Sequence, residues 1–263
     1  MEFRRNRTTG RLVICIDLPS SVQQRASAQS SQQSTVKWLM GALSRVGLPA
    51  TWAVDEPAGS WIASALATSN VPHEIALLGE ASWVGSRVGR SRFARELGRR
   101  VLAARSTGLG LSSLVPRGTW VDDHLDLLLK YGITAVRGML DEAGRSRIPA
   151  APHALHFGLW EVPGSISLPG GSTWMPGGGR GAHARRVVRR AALQGHTVQV
   201  VIDLPRLANG GDAARRVVES VLRHAARWCE EESLTVETLA GLAAQLSHTP
   251  QAVPSRSILR KAG

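Results

Sequence analysis

The sequence predicts an α/β fold that is built on a mainly parallel β-sheet. Short apolar runs rich in β-branched residues alternate along the chain with amphipathic stretches. Several of these runs are apolar almost throughout, which is typical of strands buried on both faces of a parallel sheet. Seven strands fit either an open sheet or an incomplete barrel, and periodicity alone does not choose between them. The predicted strands are Leu12–Asp17, Ala50–Val54, Glu74–Leu78, Ser112–Val115, Ile133–Arg137, Phe157–Val162 and Thr197–Asp203.

The amphipathic stretches between the strands are predicted helices. In the first of them, Val36, Leu39 and Leu43 share one face, and Gly47 follows as a stop signal. Thr235 is the expected N-cap of the last helix. The predicted helices are Thr35–Val46, Trp61–Ala67, Arg90–Ala104, Asp122–Tyr131, Asp212–Cys229 and Thr235–Leu246.

One domain is expected between two flexible ends. A basic N-terminal segment covers residues 1–10, the α/β domain covers residues 11–248, and a polar, basic tail covers residues 249–263. The apolar stretch Leu12–Ile16 is too short for a secretory signal or a membrane span. Cys15 and Cys229 are the only cysteines, which is too few for a disulfide framework. We therefore expect a cytoplasmic protein.

The formal net charge of +12 comes almost entirely from arginine. A basic surface attracts nucleic acid, anionic lipid or acidic polysaccharide, but a base-composition bias in the coding DNA that favours arginine and alanine codons is the preferred explanation. Arginines concentrate in two runs, Arg87–Arg105 and Arg180–Arg190. Neither run carries a recognised nucleic-acid motif or an aromatic ladder, so solvated helix faces are favoured and nucleic acid is not an expected partner.

The same four residues follow two of the predicted strands. One strand ends with Ile16-Asp17-Leu18-Pro19, and the other ends with Ile202-Asp203-Leu204-Pro205. Ligands of parallel α/β folds bind at the carboxyl ends of strands, where two such carboxylates could share a proton, bind a hard cation or act as acid and base. The alternative is that each aspartate only forms an Asx-type turn before its proline.

Several stretches in a fixed order carry a family resemblance. Leu48–Val54 reads LPATWAV, His73–Leu78 reads HEIALL, and Val115–Gly118 reads VPRG. Together with the strand that ends at Asp17, this order resembles the polysaccharide deacetylase (NodB homology) domain over Leu12–Leu246, nearly the whole chain. The resemblance implies one distorted (β/α)7-type barrel of the glycoside hydrolase/deacetylase kind.

The resemblance also implies a set of site residues. Members of the family hold zinc with one Asp and two His, use a second Asp as base, and use a late His to protonate the leaving amine. Asp17 falls at the base position and Asp203 at the late His, so both are candidate catalytic residues. Leu18, Leu78 and Ser82 fall at the three metal-ligand positions. Leucine cannot ligate a metal and serine does so poorly, so zinc is not expected.

Other residues near the strand ends are candidates for binding. Asp17, Glu80 and Asp203 could together hold Mg²⁺ or Ca²⁺, although a solvated surface position is the favoured interpretation of Glu80. Tryptophan rings at strand ends could stack on sugar faces, but they could also fill the core. The candidate substrate-binding residues are Trp83, Arg117, Trp120 and Trp174.

Three functions are compatible with these observations. The first is a deacetylase-like domain that binds or acts on carbohydrate, including acidic glycans, without zinc-dependent N-deacetylase activity. The second is an active hydrolase of carbon–nitrogen or other bonds in saccharides that uses Asp17 and Asp203. The third is a basic module associated with nucleic acid. No membrane partner is expected, and the sequence leaves the oligomeric state open.

Overall fold

The computed structural model describes residues 9–19, 26–117, 124–138, 151–169 and 179–248. Within these residues the chain forms ten strands and nine helices. The strands are β1 (Gly10–Leu18), β2 (Thr51–Val54), β3 (Glu74–Gly79), β4 (Ser113–Pro116), β5 (Ala135–Arg137), β6 (His153–Ala154), β7 (Trp160–Val162), β8 (Ile166–Leu168), β9 (Thr197–Asp203) and β10 (Leu234–Glu237). The helices are α1 (Ala26–Val46), α2 (Trp61–Ala67), α3 (Ala81–Val84), α4 (Arg90–Ser106), α5 (Leu125–Lys130), α6 (Gly179–Gln194), α7 (Leu204–Asn209), α8 (Gly211–Glu230) and α9 (Leu239–His248).

All ten strands belong to one sheet with β1 near its centre. The strand order is β6-β7-β5-β4-β3-β2-β1-β9-β8, and β10 pairs with the amino-terminal half of β1. Every pair is parallel except β6 with β7. The sheet curls into a half-barrel, which confirms the predicted barrel-type α/β fold and selects it over a flat open sheet.

Alternation along the strands separates an inner from an outer core. Val13 and Cys15 lie on the inner face, where they pack with Leu239 and Leu242 of α9. Ile14 and its even-numbered neighbours in β1 face outward against α1, α6 and α8. A second outer cluster joins β3–β5 to α4 and α5. The helix α9 thus covers the hollow of the sheet, while the remaining large helices cover its outside.

The end of the chain differs from the predicted single helix Thr235–Leu246. Residues Leu234–Glu237 form β10, in which Thr235 pairs with Arg11 of β1, so Thr235 is not a helix cap. The helix begins at Leu239, and the Thr238 side chain accepts a hydrogen bond from the Gly241 N–H at 3.1 Å. Unpaired positions beside the first half of β1 accommodate this extra strand, and tertiary pairing overrides the local helical pattern.

The predicted strand Phe157–Val162 is also only half correct. Residues His156–Gly158 form a 3-10 turn in which Phe157 has a positive φ of 62°, and the strand β7 begins at Trp160. The predicted start of the fourth helix at Asp122 lies outside the described residues. No helix in the described part of the chain is both long and apolar enough to cross a membrane.

Candidate functional site

The two repeated aspartates lie side by side at the carboxyl ends of neighbouring strands. Strands β1 and β9 pair in parallel along seven residues, and the last pair in this register is Asp17 with Asp203. Asp17 is only 6% exposed, at the top of the inner core. The structure therefore brings the two backbone positions together, as the repeated Ile-Asp-Leu-Pro sequence predicts.

The Asp17 side chain is held by an arginine from the far side of the sheet. Arg137, the last residue of β5, is 5% exposed and donates from Nη1 to Asp17 Oδ1 at 2.5 Å and from Nη2 to Asp17 Oδ2 at 2.9 Å. Nη2 also lies 3.4 Å from the carbonyl oxygen of Pro116, and Nη1 lies 3.6 Å from Cys15 Sγ. Both Asp17 oxygens thus accept hydrogen bonds from a single guanidinium in the fork geometry that arginine and carboxylate favour.

Electrostatics keeps this buried cluster in one charge state. Burial lowers the pKa of Arg137, but the charge of Asp17 and the contacts with Asp17 and Cys15 together raise it by more, so the net shift is upward and the guanidinium stays charged. Burial raises the pKa of the Cys15 thiol to about 12, despite the nearby Arg137 charge. Cys15 is therefore a neutral thiol beside an ion pair.

Asp203 has a different set of partners. Its Oδ1 accepts a hydrogen bond from the Arg206 backbone N–H at 2.9 Å, and its Oδ2 lies 3.6 Å from Arg206 Nε. This makes Asp203 the N-cap of α7, with Pro205 in the first turn of the helix. The side chains of Asp17 and Asp203 are thus each engaged by their own arginine, although their backbones are neighbours.

The three positions that would carry metal ligands are scattered over different environments. Leu18 packs against the outer core, Leu78 is fully buried on the inner face, and Ser82 is exposed on α3. Among the described residues, no group of three His, Cys, Asp or Glu side chains gathers closely enough to hold a metal ion. Two leucines offer no lone pair, so these residues do not fit the zinc site that the fold family implies.

Glu80 and Arg117 form an ion pair at the mouth of the half-barrel. Arg117 follows β4, and its Nη1 lies 3.3 Å from Glu80 Oε1, which follows β3. Both side chains are about one-third exposed, at 36% and 33%. Glu80, Asp17 and Asp203 are therefore each paired with a different arginine, and the structure does not gather them into the hard-cation site considered from the sequence.

Trp83 is a core residue and not part of a cleft wall, which corrects the sequence-based expectation. It is 2% exposed, its ring centroid lies 6.0 Å from that of Phe93, and the Arg100 guanidinium stacks over it at 4.7 Å. The short helix α3 turns Trp83 inward because its apolar face must pack against α4. The two other candidate tryptophans, Trp120 and Trp174, lie outside the described residues.

A cavity of about 290 Å³ lies at the carboxyl ends of β1 and β2. Leu18 and Val54, the last residues of the two strands, line it together with Trp61 at the start of α2. Trp61 is 38% exposed. Polar groups that line the same cavity come from Gln32, Gln33, Glu56 and Ser60. An exposed aromatic ring beside several hydrogen-bonding groups is the usual composition of a site for a small polar ligand.

Sequence reasoning alone singles out neither Arg137 nor Trp61. A charged residue that ends an otherwise apolar strand is the signal that could have identified Arg137, since a buried strand end rarely carries a charge without a partner. Trp61 shares its position near a strand end with several other tryptophans, and only its exposure distinguishes it. Burial is a tertiary property that local sequence does not specify.

Solved structures with a similar fold cover almost the whole chain. A candidate polysaccharide deacetylase from Mycobacterium smegmatis is 18% identical, with a TM-score of 0.64 over 90% of each chain. PuuE allantoinase is 10% identical, with a TM-score of 0.65 over 91% of each chain. The Xyl-CE4 domain of a multidomain xylanase, from the hindgut metagenome of Trinervitermes trinervoides, is 12% identical, with a TM-score of 0.52 over 90% of this chain and 91% of that one.

No protein-family model and no curated protein sequence matches the chain. Identities between 10% and 18% bear on the fold and not on the reaction. The curled parallel sheet and these structural matches together show that the chain has the NodB-like fold of the polysaccharide deacetylases.

Proposed function

We propose that this protein binds a saccharide in the cavity beside Trp61 and does so without zinc-dependent N-deacetylation. The observation that carries the proposal is the cavity itself, which lies at the carboxyl ends of β1 and β2 and exposes an indole ring among polar side chains. Structures of similar fold include a candidate polysaccharide deacetylase and a carbohydrate-esterase domain of a xylanase. Ligands of parallel α/β folds bind at this end of the strands.

The lining of the cavity suits a sugar ring. The apolar face of a pyranose can stack on the Trp61 indole, and its hydroxyl groups can bond to amide, hydroxyl and carboxylate groups. Gln32, Gln33 and Ser60 provide neutral donors and acceptors at the cavity wall. A volume of about 290 Å³ is at the lower end for ligand pockets, which matches one or two sugar units better than a long chain.

Two contacts argue against metal-dependent hydrolysis at this site. Leu18 lines the cavity as an apolar wall at the position where the family resemblance places a metal-ligating aspartate. Asp17, at the base position, has both oxygens bonded to Arg137. A base must be able to take a proton from water, and protonation of Asp17 would leave the buried Arg137 charge without its counter-charge.

The proposal is tested by titration calorimetry with oligomers of N-acetylglucosamine. Trp61→Ala should weaken binding by about tenfold or more, which corresponds to ~1.4 kcal/mol, while Trp61→Phe should retain part of the affinity. Phe157→Ala is the matched control, because Phe157 is an aromatic residue at 63% exposure that does not line the cavity. Equal losses in the Trp61 and Phe157 variants would contradict binding in this cavity.

Activity is measured separately on the same oligomers with zinc supplied in excess. We expect no release of acetate by the wild-type protein. Acetate release by the wild type would overturn the proposal. Its loss in Asp17→Asn protein that urea denaturation shows to be folded would establish the alternative, an active hydrolase that uses Asp17. Binding and activity are therefore read out independently of one another.

A further inference from the structure

An arginine-rich surface covers the outside of the half-barrel along two packed helices. It is formed by α6 and α8 and is called the α6/α8 ridge below. Its members are Arg185, Arg186, Arg189, Arg190, Arg216, Arg223 and Arg227. The helices lie side by side, since Arg185 Nη1 donates to Ser220 Oγ across them at 2.8 Å. Arg185 is half-buried between the helices. The other six members are exposed.

No described acidic residue forms an ion pair with the ridge, although α8 itself carries Asp212, Glu219 and Glu230. The helix α6 contains no Asp or Glu, and no ridge arginine forms an ion pair with a described residue. The other basic run, Arg87–Arg105, contains exposed arginines that do have acidic partners. On α4, Arg90 pairs with Asp126, and Arg99 pairs with Glu56. The ridge therefore differs from α4, where two exposed arginines have acidic partners, whereas no ridge arginine has one among the described residues.

Like charges converge at the groove between the two helices. Burial lowers the pKa of His224, and the charges of Arg185, Arg227 and Arg189 lower it further. His224 accepts a hydrogen bond at Nε2 from Trp228 Nε1 at 3.1 Å, which requires this nitrogen to be unprotonated. The groove thus concentrates positive potential that the fold itself does not compensate, and such a surface attracts polyanions.

The length of the arginine rows indicates the size of the anion that the ridge could bind. Arg216 and Arg227 are eleven residues apart on α8, which is about 16 Å along a helix axis at 1.5 Å per residue. A second row on α6 lies about 8–10 Å away, the usual spacing of packed helices. This row is shorter, because Arg185 and Arg190 are five residues apart, about 7.5 Å along the helix axis. Together the two rows exceed a single phosphate or carboxylate and fit a chain of regularly spaced charges. Arginine forks match phosphate oxygens in a bidentate manner.

We propose that the α6/α8 ridge docks the phosphodiester backbone of a nucleic acid. A membrane surface fits less well, because Leu193 is the only large hydrophobic residue among the described ones that is exposed on these helices, and interfacial helices insert a broad apolar face. The backbone contacts carry no base recognition, so binding is independent of nucleotide sequence. The ridge shares no residue with the lining of the cavity beside Trp61, so nucleic-acid binding can be tested independently of saccharide binding.

The test measures affinity of the full chain for a labelled DNA duplex as salt is raised from about 50 to 200 mM. The ridge variant replaces Arg186, Arg190, Arg223 and Arg227 with Gln. The matched control replaces Arg87, Arg92, Arg95 and Arg105 with Gln, so both variants lose the same charge at exposed positions. Thermal unfolding checks that both variants fold like the wild type.

The ridge variant and the control variant should differ in DNA affinity and in its salt dependence. We expect the wild type to bind with a steep salt dependence, and the ridge variant to lose at least about tenfold in affinity and about three to four units of slope in log K against log salt. The control should keep most of its affinity and slope. Equal losses in both variants, no binding of duplex or single-stranded DNA, or a ridge effect confined to phosphatidylserine vesicles would each overturn the proposal.

Discussion

Arg137 and Asp17 form a bidentate ion pair across the inner face of the sheet, with Nη1–Oδ1 and Nη2–Oδ2 distances of 2.5 and 2.9 Å. Both side chains are more than nine-tenths buried, so this pair is shielded from solvent. A buried pair contributes little net free energy compared with apolar residues of the same shape, but removing one partner leaves an uncompensated buried charge. The pair links β1 to β5 across the hollow of the half-barrel.

The first prediction concerns the cost of breaking this pair. Arg137→Ala should lower the free energy of unfolding by about 3–5 kcal/mol, measured by urea denaturation. The double variant Asp17→Asn with Arg137→Met removes both charges and should recover most of this loss. Arg45→Ala is the control, since its pair with Glu219 at 3.9 Å is exposed and should cost no more than about 1 kcal/mol. A double variant as unstable as Arg137→Ala would refute the explanation.

The neighbourhood of Asp17 shows which parts of the site can be predicted from the sequence. The repeated Ile-Asp-Leu-Pro sequence predicts that β1 and β9 end together, because parallel strands align their carboxyl ends. The pairing with Arg137 cannot be predicted in this way. Arg137 is 120 residues away in sequence, and the two side chains meet only because the sheet curls.

Trp83 and Thr235 illustrate two other limits. A tryptophan after a strand end can face the mouth or the core, and only the packing of α3 on α4 decides that Trp83 faces the core. Thr235 carries a helix-cap signal, but pairing with β1 places it in a strand. Local sequence patterns identify most strands and helices. The residues at which these elements begin and end, and the side to which a side chain points, depend on tertiary contacts that local sequence does not specify.

The second prediction separates Trp83 from Trp61. Trp83→Ala removes a fully buried ring and should destabilise the fold by about 3–5 kcal/mol, seen as a lower urea midpoint. Trp61→Ala removes an exposed ring and should leave the midpoint almost unchanged while it weakens saccharide binding. Folded Trp83→Phe protein, tested well below its urea midpoint, should bind the oligosaccharide as wild type does. Loss of saccharide binding in folded Trp83→Phe protein would show that Trp83 does contribute to the binding site.

The third prediction concerns Cys15, one of the two cysteines in the chain. Burial and a pKa raised to about 12 should keep the Cys15 thiol unreactive toward iodoacetamide at pH 8 in the folded protein. The variant Cys229→Ser leaves Cys15 as the only thiol. Mass spectrometry should detect label in this variant only after denaturant is added. Rapid labelling without denaturant would show that the cluster around Asp17 opens to solvent.

The fourth prediction is a pH dependence at Glu237. Burial raises the pKa of Glu237, although the nearby Arg11 charge and a hydrogen bond from Gln245 act in the opposite direction. Its carboxyl group therefore stabilises the fold when protonated, below the usual carboxyl pKa, and this contribution is lost as the pH rises through the raised pKa. Its Oε2 is buried and has no hydrogen-bond partner among the described residues.

The variant Glu237→Gln tests this dependence because it keeps the shape and removes the charge. At pH 7 it should be more stable than wild type, because the amide carries no charge that burial penalises. At about pH 4, where the wild-type carboxyl is also neutral, the two proteins should have the same free energy of unfolding. A stability difference that does not change with pH would contradict the assignment to Glu237.

The fifth prediction distinguishes a helix cap from a catalytic acid at Asp203. If Asp203 serves only as the N-cap of α7, Asp203→Asn should preserve stability, since asparagine caps as well as aspartate. Asp203→Ala should lose about 1 kcal/mol of unfolding free energy because the Arg206 N–H then lacks its acceptor. Saccharide binding should be the same in both variants. A hydrolytic activity that Asp203→Asn abolishes without loss of stability would show instead that Asp203 acts on substrate, because asparagine can replace the cap but cannot transfer the proton.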